Sequence, residues 1–150
     1  MRDRHGPRAS WPRVVGALAM LAALAWPRAG VAEGALAIGL PSDVAKEGIA
    51  IGWVINSDSE ETAHERALRG CLDFRDAPAS TRVLCKVIKT FRGECVAIAL
   101  DPEAGTPGVG WAIALSMRTA ETDALAACAS TAGAERQQHC RVTVLRCDGK

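Results

Sequence analysis

The sequence predicts an α+β domain: two β-β-α-β repeats related by pseudo-twofold symmetry, forming a mainly antiparallel sheet with two helices and stapled by disulfides. Three observations carry this expectation. TAHERALRGC at 62–71 recurs as TAETDALAAC at 119–128, with Thr62, Ala63, Ala67, Leu68 and Cys71 matching Thr119, Ala120, Ala124, Leu125 and Cys128. Around it, LAIGL (36–40) matches VAIAL (96–100), Gly52-Trp53 matches Gly110-Trp111, and Cys85-Lys86-Val87 matches Cys140-Arg141-Val142. Finally, six cysteines lie at 71, 85, 95, 128, 140 and 147, an even count of the kind that frames a small exported domain. Self-similarity at a nearly constant offset marks an internal duplication.

Each element follows from local pattern. In the first strands, Leu36, Ile38 and Leu40 alternate with Ala35, Ala37 and Gly39, and Val96, Ile98 and Leu100 alternate with Ala97 and Ala99. Period-two alternation sends the two sets to opposite faces. The second strands repeat it: Ile49, Ile51, Trp53 and Ile55 against Ala50, Gly52 and Val54, then Val109, Trp111, Ile113 and Leu115 against Gly110, Ala112 and Ala114. One face is thus bulky, and the other is small enough for close approach by a helix or a partner. Apolar residues at 63, 67, 68 and 71 form one helical stripe. Ser57 and Glu60 have capping-box spacing, which places the helix start near residue 58. The closing strands, VLCKVIKTF (83–91) and CRVTVLR (140–146), carry Lys86, Lys89, Arg141 and Arg146. Such charge suits sheet edges, where it discourages unwanted pairing. Turn chemistry separates the elements, including Pro41-Ser42-Asp43, Arg92-Gly93, Asp101-Pro102 and Gly105-Thr106-Pro107-Gly108.

The N-terminus reads as an export signal over residues 1–32. Arg2, Arg4, Arg8 and Arg13 precede a 13-residue apolar run, 14–26, and Gly30-Val31-Ala32 offers small residues for cleavage before Glu33. A membrane-spanning helix needs about 20 apolar residues, so this run is too short. There is no Arg-Arg pair, and no cysteine stands at the cleavage point to carry a lipid. The expected mature chain, 33–150, is one domain with halves of about 34–95 and 96–147. It holds 13 of the 18 Lys/Arg and 16 of the 17 Asp/Glu, a net charge of −3. Nucleic-acid and anionic-membrane binding lack their electrostatic footprint.

Six cysteines allow 15 connectivities, and the duplication narrows them. Cys71 and Cys128 sit at matching helix ends; Cys85 and Cys140 open matching strands. Bonds 71–85 and 128–140 would staple helix end to sheet within each half. Cys95 and Cys147 then remain, read as equivalent positions brought together near the pseudo-twofold axis. No CxxC pair exists, which disfavours dithiol redox chemistry and clustered zinc sites.

The remaining candidates for chemistry are weak. His64-Glu65 begins like HExxH, but position 68 is Leu and the counterpart of His64 is Glu121. A solvent-facing helix residue is the better account of His64, and a staple is the better account of Cys71. Ser57, His64 and Asp58 or Asp73 make a hydrolytic triad only on paper, without a GxSxG elbow. Adjacent Glu60 and Glu61 diverge by about 100° on a helix and suit its N-terminal dipole. His139 reads as a loop residue, and GTPGVG (105–110) as a hairpin turn rather than a phosphate loop. Trp53 and Trp111, the two tryptophans after the signal, occupy matching places. They read as core packing or as a paired aromatic binding surface on an uncovered sheet face.

These strands, the doubled A-x-x-x-A-L-x-x-C helix and the following C-x-V, behind a signal, resemble the bacterial domain-of-unknown-function 4189 family over about residues 34–147. That resemblance implies a small, exported, cysteine-containing domain with no established common activity and no catalytic residues to carry over.

The functional expectation is therefore a non-enzymatic binding domain of the periplasm or medium, needing no cofactor, with an unknown protein partner. Inhibitor, immunity-type and envelope-associated roles all fit. The alternative is a small periplasmic hydrolase acting on envelope material through Glu or His of the helix–strand loops.

Overall fold

Each half of the chain folds its three strands into a separate antiparallel sheet. The computed structural model describes residues 33–149, and the expected signal, 1–32, lies outside the described residues. The first half contains β1 (Glu33–Gly39), α1 (Val44–Glu47), β2 (Ala50–Ser57), α2 (Glu60–Leu72), α3 (Ala79–Arg82) and β3 (Lys86–Phe91). The second contains β4 (Cys95–Leu100), β5 (Val109–Ala114), α4 (Met117–Ala132), a 3-10 turn (Gln137–His139) and β6 (Arg141–Cys147). Strand orders are β2-β1-β3 and β5-β4-β6, so the halves share one topology. The predicted α+β class and the doubled β-β-α-β order stand. Their strands divide into two three-stranded sheets rather than one, and the single-turn helices α1 and α3, which the sequence reading does not include, follow Asp43 and Pro78.

Alternation along β1 and β4 builds four layers from these parts. Leu36, Ile38, Ile51 and Phe91 of the first sheet meet Val96 and Ile98 of the second in one buried cluster. On the reverse faces, Ala35, Ala37 and Ala50 pack on Ala63, Ala67 and Cys71 of α2, while Ala97 and Ala99 pack on Ala120, Ala124 and Cys128 of α4. The order is helix, sheet, sheet, helix. The bulky faces thus cover each other and the small faces receive the helices. The open apolar sheet face that two helices seemed unable to cover does not form.

Gly52 and Gly110 set the depth of helix docking. A Cβ at Gly52 would collide with the Ala67 carbonyl oxygen and the Cys71 nitrogen, and one at Gly110 with their counterparts on α4, at Ala124 and Cys128. Each neighbouring tryptophan points to the other face, which explains why Gly-Trp is kept as a unit in both halves. Helix starts also repeat. Ser59 accepts from the Thr62 N–H and Ser116 from the Thr119 N–H, each at 3.1 Å. The cap is therefore Ser59, not Ser57. Ser57 ends β2 and is buried, and Glu60 instead accepts from the Thr90 hydroxyl at 2.7 Å.

The bonds join Cys71 to Cys85, Cys128 to Cys140 and Cys95 to Cys147, the predicted pairing. The third bond does not lie where the pseudo-twofold reading puts it. Cys95 opens β4 and lies opposite Cys147 of β6 in the same sheet. That bond is a cross-strand staple within the second half and does not bridge the halves across an axis.

Asp148 makes a link between halves instead. Its buried carboxylate accepts from the Asn56 N–H (2.8 Å) at the end of β2 and from the Gly93 N–H (3.1 Å) in the β3–β4 turn. Asn56, at φ 56°, accepts at its side-chain oxygen from the Gly149 N–H (2.7 Å). Asp148→Ala leaves two amides without their charged acceptor. We expect a loss of about 2–4 kcal/mol, since bonds to charged groups contribute about 1.5–3 kcal/mol each and overlap here. Urea unfolding of the variant against the parent measures it.

Candidate binding surface

The residues weighed for catalysis in the sequence are spread along α2 and its two ends. Ser57 lies before the N-terminus of α2 and Asp73 caps its C-terminus, roughly 20 Å apart at 1.5 Å per residue. His64 is exposed between them on the outer surface. Glu60 and Glu61 sit in the first turn of α2, where a negative charge favours the helix dipole. Cys71 is fully buried in its disulfide.

His139 lies in the 3-10 turn beside Arg136, whose carbonyl accepts from the His139 N–H at 2.8 Å, and Arg136 in turn holds Asp101. Asp101 is already committed. Its oxygens accept from Arg136 Nε (2.5 Å) and a second guanidinium nitrogen (2.8 Å), and from the Glu103 N–H (3.1 Å). Glu103 adds a second carboxylate to Arg136, at 2.7 Å. The Arg136 hydrogen bonds hold the Asp101 carboxyl at about 2 against an ordinary 3.8, which suits a fixed anion tying the β4–β5 loop to the loop after α4. Since the folded value is the lower, Asp101 contributes stability above about pH 4 and loses it as pH falls toward 2. Asp101→Asn is expected to lower Tm at pH 7 and to flatten its pH dependence between 4 and 2, which thermal melts across that range will read. Nothing in the sequence marks this pair beyond the Asp-Pro turn, because the partners stand 35 positions apart.

The matched tryptophans diverge. Trp111 is half-buried against the inter-sheet cluster and lines a cleft of about 630 Å³ between loop 40–44 and β5. Trp53 is 36% exposed on β2. Both belong to edge strands, since β2 and β5 each end a sheet. The sequence marks only β3 and β6 as edges. Yet β2 (AIGWVINS) and β5 (VGWAIA) contain no charged residue at all.

The two uncharged edges are not equally open. On β5, the Thr131 hydroxyl accepts from the Val109 N–H and lies within donating distance of its carbonyl, each at 2.8 Å. That closes the first residue of the edge. Among the described residues, side chains bond the β2 backbone only at Asn56, through Asp148. From Ala50 to Ile55 the edge is unprotected by charge, proline or side-chain cap. The described residues contain no helix long and apolar enough to cross a membrane.

Fold and cross-links together define a disulfide-stapled α+β domain, of a kind that matures in an oxidising compartment. The family model for a domain of unknown function (DUF4189) matches residues 34–147, and the chain belongs to that family. No curated protein and no solved structure matches it.

Proposed function

We propose that this is an exported, non-enzymatic binding domain that takes an extended segment of a partner protein onto the free edge of β2. The carrying observation is the open stretch Ala50–Ile55 of the uncharged β2 edge, with Trp53 exposed on it. Unpaired backbone donors and acceptors give such an edge affinity for another strand, and flanking side chains give selectivity. Tryptophan is a preferred anchor in this setting. The export signal and three disulfides favour the periplasm or the medium, where an inhibitor, immunity-type or envelope-associated partner would be met. The hydrolase alternative has less support: His64 and its helix neighbours Glu60 and Glu61 lie on the exposed outer surface, and Asp101 is already paired with Arg136.

Trp53→Lys tests the proposal by placing on β2 the kind of charge that β3 and β6 already carry. The oxidised parent should retain a stoichiometric protein partner from its native organism, and the variant should bind that partner at least about tenfold more weakly with its fold intact. Equal binding by a folded variant would rule out β2 as the contact.

A further inference from the structure

The cleft beside Trp111 has a composition of its own. Apolar groups form most of its wall: Leu40, Val44, Pro107, Val109 and Trp111. Its volume, about 630 Å³, falls within the range of small-molecule sites, which are mostly apolar with a few placed polar groups. It lies where the first half, through the loop after β1, meets the second half, through β5 and α4.

The polar groups lean one way. Asp43 is the single charged residue in the lining, and no Lys, Arg or His accompanies it. Asp43 Oδ1 accepts from the Lys46 N–H at 3.1 Å, leaving Oδ2 without a partner among the described residues. Ser130 donates to the Ala127 carbonyl at 2.7 Å, so its oxygen retains only accepting capacity toward the cleft. Thr131 is occupied by Val109. The site therefore offers acceptors, one negative charge and an indole. An anion would meet no countercharge there, and a neutral apolar molecule would gain nothing from Asp43, which is exposed and stays hydrated beside it. A cation with an apolar body satisfies all three features, since an ammonium group favours both a carboxylate and an aromatic face.

We infer that this cleft binds a small organic cation, a protonated or quaternary amine carrying an apolar group, with Asp43 answering the charge and Trp111 lining the apolar end. This site is separate from the β2 edge and does not depend on it.

Benzyltrimethylammonium is a suitable probe, with neopentylbenzene as its neutral counterpart and benzoate as an anionic one. The domain spanning 33–150 has two indole N–H resonances, and titration should shift that of Trp111 saturably while leaving that of Trp53 in place. Asp43→Asn keeps an accepting oxygen for the Lys46 N–H and removes the charge, so it should fold and weaken binding of the cation at least about tenfold. Raising ionic strength should weaken the parent's binding and leave the variant's unchanged. Tighter binding of the neutral compound or benzoate than of the cation, no saturable shift at Trp111, or unchanged affinity in Asp43→Asn would each overturn the inference.

Discussion

Gly52→Ala should lower Tm by about 5–15 °C, while Gly70→Ala, from the opposite side of the same contact, should raise it slightly. An added Cβ at Gly52 would fall on backbone atoms of α2, including the Gly70 carbonyl carbon at 2.9 Å, and backbone cannot rotate aside. Overpacking of this kind costs about 1–3 kcal/mol, and more where main chain must shift. A Cβ at Gly70 meets only the Gly52 Cα, at 3.5 Å, an ordinary contact. There the replacement gains about 1 kcal/mol of helix propensity instead. Gly110→Ala should behave like Gly52→Ala, because Ala127 carbonyl carbon lies 2.8 Å from its added Cβ. The two losses should add, since the sites lie in different sheets. Calorimetric melts of the three single variants and the 52/110 double decide it. Equal tolerance at all three positions would show that the helices do not rest on these glycines.

Removing Cys95–Cys147 should cost more than removing either helix staple. The bonds close 52, 14 and 12 residues for 95–147, 71–85 and 128–140. In the loop-entropy account these correspond to about 4, 3 and 3 kcal/mol. Paired Cys→Ala variants, compared by guanidinium unfolding, should show that order. All six cysteines are joined, so no free thiol complicates the comparison. If 71–85 or 128–140 proves the most costly, the bonds act mainly by holding the native helix ends to the sheets, and chain entropy is secondary.

Much of the fold was legible because duplication repeated each signal. Alternating bulky and small residues told two faces apart in four strands, and matched cysteines reduced 15 pairings to one. What the pattern could not show was how the bulky faces are covered. Leu36 and Ile38 read alike whether they meet a partner or Val96 and Ile98 of the second sheet. Ser57 and Ser59 both precede the helix and spacing favours Ser57, yet only the exposed Ser59 reaches the Thr62 N–H. Sequence order makes Cys95 the end of the first half, and only strand register reveals that it faces Cys147 within the second.

The binding surface was less legible still. Trp53 and Trp111 were visible as a matched pair, but their sequences do not show that both strands are edges. Nor do they show that Thr131 closes one edge and leaves the other open, since its contact with Val109 spans 22 positions. Asp148, which ties β2 to the β3–β4 turn, carries no local signal beyond following the last cysteine.

Hydrogen exchange of the β2 amides tests the account most directly. In the free domain, amides of Ala50–Ile55 without partners on β1 should exchange far faster than those of the central strand β1. In the complex isolated from the native organism, the same amides should become protected, while those of the charged edge β6 keep their rates. Protection confined to other surfaces, with β2 exchange unchanged, would contradict strand addition at this edge.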